Sequence, residues 1–221
     1  MDVDQIRFTI KSFTQMQTPS RVKPNNAGTK QIFNSPVLEH LSRTHVAVPI
    51  SLFLLFSVGL VYYGLRFTPL SGQIVGTLYG LGLFIFTFVE YTVHRKLFHL
   101  AADTPAKVTF QYRAHGVHHE YPKDKTRLAM PPILSLTISI ALLGLMYLAL
   151  GDYTFGFLPG FLTGYALYLS VHYAVHAFPP PKNALKVLWI HHGIHHYKNH
   201  DVAFGVSSPV WDWVFGTMPR K

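Results

Sequence analysis

Four stretches of this 221-residue chain are apolar and nearly free of charge over about twenty residues each: Val46 to Leu65, Ile74 to Val93, Pro131 to Leu150 and Tyr153 to Phe178. Twenty helical residues at 1.5 Å rise reach roughly 30 Å, the thickness of a bilayer's hydrocarbon core. Inside lipid a backbone must satisfy its own hydrogen bonds, so such runs become helices. The expected fold is an all-α integral membrane protein with four transmembrane helices. Composition agrees, since only 13% of residues are charged, against about 25% in an ordinary soluble domain.

The charges are one-sided. Residues 1–45 form a polar arm, broken by Pro19, Pro24, Gly28 and Pro36, with no early apolar run that would make a signal peptide. The chain divides into this arm and a membrane domain, 46–221. With four spans, the arm, residues 94–130 and the C-terminal segment share one side. They carry six, seven and five basic residues, so 18 of the 19 Lys and Arg, and only Arg66 faces the other side. The positive-inside rule places the three polar segments in the cytoplasm. Buried helices of a soluble protein, the competing reading, give no reason for that split.

Ten of the 14 histidines fall in four clusters: His94 and His99; His115, His118 and His119; His172 and His176; His192, His195 and His196. The second and fourth spans both run toward the cytoplasm, so all four clusters can meet at one membrane face. They form a histidine-rich cap there. Neutral imidazole is the commonest metal ligand. Cysteine is absent, so any metal sits on nitrogen and oxygen. Residues four apart share a helical face, whereas adjacent residues such as His118 and His119 diverge by about 100°. Adjacent histidines can therefore address two ions side by side. Ten imidazoles exceed the needs of one ion, and two ions with four or five ligands each is the economical reading. One ion with spare histidines is the alternative. Imidazole suits iron, copper, nickel and zinc, and zinc generally binds more tightly than ferrous iron, so a purified sample could hold zinc in place of the working metal.

Other residues surround these clusters. Glu90, four residues before His94, could accept a hydrogen bond from that imidazole and orient it. Asp201 and Asp212 could do the same for other ligands. His191 and His200 are read as neighbours of the ligands, and His40 and His45 as interfacial. Trp211, Trp213 and Phe215 are expected to anchor the protein at the interface. Gly76, Gly80 and Gly82 could let helices approach closely or leave room for an acyl chain.

Taken with their surroundings, the four clusters resemble the fatty acid hydroxylase/sterol desaturase superfamily. Glu90-Tyr91 before His94-Arg95 and Phe98-His99 is similar to its fatty acid 2-hydroxylase branch. So are Pro122, Asp124, Arg127-Leu128 and Pro131-Pro132 after the second cluster, and the tail Phe204-Gly205-Val206-Ser207-Ser208 with Trp211-Asp212 and Val214 to Thr217. The resemblance covers about residues 83–218. It implies that the ten histidines ligate a di-metal centre, with iron expected. It also implies an oxidoreductase that uses O2 and outside electrons to hydroxylate a lipid acyl chain at carbon 2 of a fatty acid or of a ceramide or other sphingolipid. No catalytic residue beyond the ligands is implied. Ala177 stands where many members have a further histidine, and His191 is extra. A sterol or carotenoid hydroxylase, or a desaturase, is the alternative within the superfamily, and a histidine-rich metal transporter the alternative outside it. Transporters hold their ligands near mid-membrane.

Hydroxylation needs two electrons, and the chain shows no dinucleotide fingerprint. Some members carry a fused cytochrome b5 domain, and the arm is too short to be one. The expected donor is a separate acidic carrier, a cytochrome b5 or ferredoxin with its reductase, attracted by the basic face. Lys123, Lys125 and Arg127, just after the second cluster, are the candidates for its contact. No nucleic-acid partner is expected. The localisation implied is a multi-pass protein of the inner membrane in a bacterium or of the endoplasmic reticulum in a eukaryote, with its active site in the cytosol. Reporter fusions at Gly151 and at Lys221 should fall on opposite sides of the membrane, and a shared side would rule out four spans.

Overall fold

The computed structural model describes residues 23–220; the first 22 residues of the arm and Lys221 lie outside the described residues. Among the described residues every regular element is helical. After a short helix α1 (Pro36–Leu41), the apolar runs form four long helices: α2 (Ala47–Phe67), α3 (Gly72–Thr92), α6 (Pro132–Leu150) and α7 (Thr154–Ala177). Between α3 and α6 come α4 (Pro105–Gln111) and α5 (Val117–Glu120), and after α7 come α8 (Lys186–Tyr197) and α9 (Val210–Val214).

The helix ends follow local chemistry. The Ser71 hydroxyl accepts the Ile74 N–H at 3.3 Å and starts α3. Pro131 and Pro132 open α6, where their missing N–H groups are not needed. Gly151, at φ +57°, ends α6, and a single 3-10 turn joins it to α7. Three helical stretches, Ala47–Phe67, Gly72–Phe98 and Pro132–Ala177, are long and apolar enough to cross a membrane by length and composition. The last holds the Gly151 turn and folds back on itself. Tyr147 meets Phe155 beside the turn, with ring centroids 5.7 Å apart. Leu134 and Ile138 near the start of α6 line the same cavity as Tyr165 and Leu169 far along α7.

Helix α7 is the centre of the bundle. It runs antiparallel to α2, with Phe53 against Tyr165 and Tyr63 against Phe155 at 4.8 and 4.5 Å. Leu158, Leu162, Ala166 and Leu169 of α7 form the core with Val46, Phe53 and Leu60. Against α3 it runs parallel, because Gly156, Gly160 and Gly164 descend along Leu78, Tyr79 and Phe86. A Cβ on Gly160 would lie 1.9 Å from the Tyr79 carbonyl oxygen, and one on Gly82 would lie 2.0 Å from that of Phe157. Small residues thus bring the two backbones into contact, the usual device where lipid offers no hydrophobic drive for helix association. The parallel contact delivers the C-terminal ends of α3 and α7 to the same end of the bundle.

Helix α6 packs Leu142, Leu143 and Met146 on the core and turns a second apolar face outward. Its buried residues are Ser135 and Ser139, while Ile133, Leu145 and Leu148 are exposed. The serine hydroxyls bond to the carbonyls of Met130 and Ser135. An apolar outer face of this extent is what lipid contact requires and what water would penalise.

Residues 25–44 of the arm lie across the polar end of the bundle. Asn25 N donates to Glu120 O at 2.7 Å, Lys30 pairs with Glu120, and Glu39 pairs with Arg43 and Arg127. Of the glycines weighed in the second apolar run, Gly82 makes a close approach, whereas a Cβ on Gly76 or Gly80 would meet nothing within 4 Å. Alanine in a helix is favoured over glycine by about 0.5–1 kcal/mol, but overpacking typically costs about 1–3 kcal/mol. Gly160→Ala should therefore lower the melting temperature in detergent by roughly 2–8 °C, while Gly80→Ala should leave it unchanged or raise it.

Candidate metal centre

Each histidine cluster occupies a helix end. The chain leaves α3 through a π-helical turn, Val93–Phe98, in which the His99 N–H bonds to the His94 carbonyl. That i to i+5 closure places two histidines five residues apart on one face, which an α-helix would not do. A second π-helical turn, Tyr112–Gly116, precedes His118 and His119 in α5. His172 and His176 fill the last turns of α7, and His192, His195 and His196 lie on α8.

These ends converge into two sets. His94, His99, His115, His119 and His195 offer ring nitrogens within 4.8 Å of one another, and so do His118, His172, His176, His192 and His196. Adjacent histidines split between the sets: His118 from His119, and His195 from His196. The second cluster gives two ligands to the first set and one to the second, and the fourth cluster does the reverse. The two sets abut where His119 stacks on His196 with centroids 4.3 Å apart.

The facing atoms are Nε2. His94 and His119 each approach His115 at 3.0 Å, His99 approaches His195 at 3.1 Å, His118 approaches His172 at 2.9 Å, and His176 approaches His192 at 2.8 Å. The Nδ1–H of His94 donates to the Phe204 carbonyl at 2.5 Å, and that of His195 to the Val202 carbonyl at 2.8 Å. Each neutral ring then presents a bare lone pair at Nε2. Burial, and then the charge of neighbouring imidazoles, hold His115, His118, His119, His192, His195 and His196 well below the usual histidine range, so they are neutral. Two converging lone pairs repel unless a proton or a cation lies between them. Two nitrogens bound at right angles to one ion at about 2.0–2.1 Å are themselves about 2.9 Å apart, which matches the observed spacing. The Nε2 of His196 is buried and has no hydrogen-bond partner among the described residues. The donor set therefore fits two ions, each with up to five imidazoles.

The acidic residues hold a loop rather than a ligand. Glu90 does not meet His94: its carboxylate accepts the N–H groups of Val206 and Ser207 at 2.8 and 2.9 Å and the Ser207 hydroxyl. Asp212, fully buried, accepts from Phe204 N, Gly205 N, the Thr217 hydroxyl and His191 Nε2, all between 2.7 and 2.9 Å. The two carboxylates thus fix residues 204–207, and the loop's Phe204 carbonyl orients His94. They act one bond further from the metals than the spacing predicts, because the i+4 direction from Glu90 is taken by the loop. Asp201 is exposed and bonds to no imidazole. Gly205 is required in this loop, since a Cβ would lie 2.1 Å from the Ser208 carbonyl oxygen.

Among the expected carrier contacts, Arg127 is displaced. Its side chain is 3% exposed and is bound to Glu39, the Ser42 hydroxyl and the Lys30 carbonyl. Lys123 donates to the His176 carbonyl at 2.7 Å, and Lys125 is exposed. Of the tail aromatics, Trp211 bonds Thr87, Phe215 stacks on Tyr91, and Trp213 is exposed. Three orienting groups, the carbonyls of Leu128, Val202 and Phe204, escape sequence reasoning because they are backbone.

A cavity of about 410 Å³ reaches both sets. His115, His118 and His172 close its inner end, and Leu134, Ile138, Tyr165 and Leu169 carry it out between α6 and α7. Arg113, with its guanidinium over the Phe33 ring at 4.8 Å, lines it on the cap side.

The molecule is thus an apolar helical bundle with ten histidines at one end, in two sets that could each hold a metal ion. The fatty acid hydroxylase family model matches residues 79–217, and the chain belongs to that family. It is 37% identical over 198 residues to the ceramide very long chain fatty acid hydroxylase of Schizosaccharomyces pombe, covering 86% of this chain and 55% of the relative. It is 36% identical to a dihydroceramide fatty acyl 2-hydroxylase of Arabidopsis thaliana, covering 66% and 62%, and 32% identical to the human fatty acid 2-hydroxylase, covering 86% and 57%. The chain spans a little over half the length of these curated relatives. The solved structure of full-length Scs7p, in which only the hydroxylase domain is visible, superposes with a TM-score of 0.81 at 30% identity, covering 91% of this chain and 76% of that one.

If the two sets each hold an ion, neighbouring residues should control different metals. In purified protein, His195→Ala should release the ion of the first set and His196→Ala that of the second, each lowering metal content from two per chain to about one. Loss of the same ion in both variants would reject the partition.

Proposed function

We propose that this chain is a membrane-bound, O2-dependent hydroxylase acting at carbon 2 of a fatty acyl group, within a ceramide or related sphingolipid, with iron as its working metal. The carrying observation is the cavity that joins the two imidazole sets to the lipid-facing side of the bundle. The names of the relatives, fatty acid and ceramide hydroxylases, support the substrate class. In this reading α2, α3, α6 and α7 are four transmembrane spans, and the cap with its ligands faces the cytosol.

The chain's own residues have three tasks. His94, His99, His115, His119 and His195 hold one ion, and His118, His172, His176, His192 and His196 the other. Bound there, two irons supply the activation of O2. The apolar walls at Leu134, Ile138 and Leu169 take the acyl chain and keep water from the centre, so the carbon to be hydroxylated lies against His115, His118 and His172 at the closed end. Arg113 and Phe33 stand at the polar side, where a head group would remain. The ligands sit at the ends of α3 and α7 rather than at their middles, which favours this reading over metal transport.

Mass spectrometry of lipids from cells expressing the chain should show 2-hydroxy acyl species that are absent from cells expressing the His118→Ala variant. Hydroxylated or desaturated sterols or carotenoids in place of 2-hydroxy acyl lipids would overturn the assignment.

A further inference from the structure

Nine of the ten clustered imidazoles are buried, and His99 is the exception. It opens onto a second pocket, of about 400 Å³, whose wall includes Arg95, Lys96, Asp201 and Phe204. This pocket shares no residue with the acyl cavity, which meets the centre at His115, His118 and His172. The centre therefore has two approaches, one apolar and opening between helices, the other charged and ending on a ligand.

The charged approach is preorganised. Arg95 donates to the Tyr91 hydroxyl at 2.8 Å, and its guanidinium lies over the Tyr91 and Phe204 rings, 5.9 Å from each centroid. Lys96, one residue on, is exposed and makes no ion pair among the described residues. Beneath them the Phe204 ring lies 5.5 Å from both His99 and His195 and 5.8 Å from His94. One aromatic layer thus separates the pocket from His94 and His195, and His99 itself reaches the opening.

We propose that this pocket is the docking site for the electron donor, an acidic one-electron carrier protein whose carboxylates seat against Arg95 and Lys96 and whose electrons enter through the exposed edge of His99. The proposal rests on the oxygenase reading. Converting a C–H bond and O2 to C–OH and water takes up two electrons and two protons, so two reduced carriers dock in turn and each is oxidised by one electron. The loop after the second cluster is a weaker candidate. Arg127 is sequestered by Glu39, Lys123 is held by the His176 carbonyl, and the nearby His118 and His119 are buried. Asp201 on the pocket rim argues for a protein over a lipid phosphate, because it repels phosphate and a protein surface can match both signs.

The test uses the metal-loaded chain in phosphatidylcholine nanodiscs and the oxidised soluble domain of an acidic cytochrome b5, so binding is read without turnover. Carbodiimide cross-links from carrier carboxylates, mapped by mass spectrometry on the wild-type chain, should fall on Lys96 and disappear at about 0.5 M salt, where the Debye length is only a few ångströms. Lys96→Glu, checked for metal content, should raise Kd about tenfold at low ionic strength, with Lys125→Glu changing it less than twofold. Cross-links concentrated on Lys123 or Lys125, an unchanged Kd for Lys96→Glu at low salt, or no salt-sensitive complex with the wild-type chain would each overturn the proposal. Loss of the Lys96 cross-link when phosphatidylserine replaces phosphatidylcholine would instead assign the pocket to an anionic head group. A wild-type chain that hydroxylates lipid while cross-links fall elsewhere would remove only this docking site. A chain that hydroxylates nothing with any carrier would remove the functional reading beneath it.

Discussion

Buried imidazole nitrogens brought face to face at about 3 Å are the constraint on which this structure depends. Burial has removed the water that would solvate each nitrogen, so every facing pair must share a proton or a cation, and the Nδ1–H bonds of His94 and His195 leave their Nε2 atoms as acceptors. The scaffold imposes the convergence, and a cation bound between the rings would relieve it. Three devices impose it. The glycine contact between α3 and α7 brings two histidine-bearing helix ends to one level. The π-helical turns rotate His94, His99 and His115 inward. The loop at residues 204–207, fastened by Glu90 and Asp212, offers the carbonyl that sets the His94 ring.

Those devices are linked, since Glu90 belongs to α3 and Asp212 to α9, and both end on the same loop. A buried carboxylate that accepts several N–H groups is favourable only while every donor is in place, and removing one leaves a charge without compensation. The polar network around the loop is therefore as strictly specified as the ligands, although it touches no metal. Helix α6 follows the opposite logic. It buries two serines and packs Leu142, Leu143 and Met146 on the core, while Leu134 and Ile138 line the cavity and Leu145 and Leu148 stay on an outer apolar face suited to lipid.

The two approaches to the centre divide its chemistry in space. Apolar walls lead between α6 and α7 to His115, His118 and His172, and charged walls lead to His99. Under the proposed function an acyl chain and a protein partner would use different surfaces and different ligands, so both could be engaged together. Residues 25–44 contribute to this division, since they cover the loop after α5 and take Arg127 out of solvent through Glu39.

Sequence alone determined the helical class, the four apolar runs, the ten clustered histidines and the divergence of adjacent histidines into two sets. These follow from periodicity: twenty uncharged residues must close their hydrogen bonds internally, and neighbours on a helix diverge. Tertiary structure decided the rest. The i+4 spacing of Glu90 and His94 suggested contact, but a loop more than a hundred residues away claims that carboxylate. Arg127 reads as a free charge in a basic loop, yet the folded arm brings Glu39 to it. Gly156, Gly160 and Gly164 read as ordinary members of an apolar run until α3 lies against them. His99 differs from the other ligands only in what fails to cover it. Each of these outcomes is a contest between distant groups for one hydrogen bond, one charge or one volume, and a linear pattern holds no information about which competitor arrives.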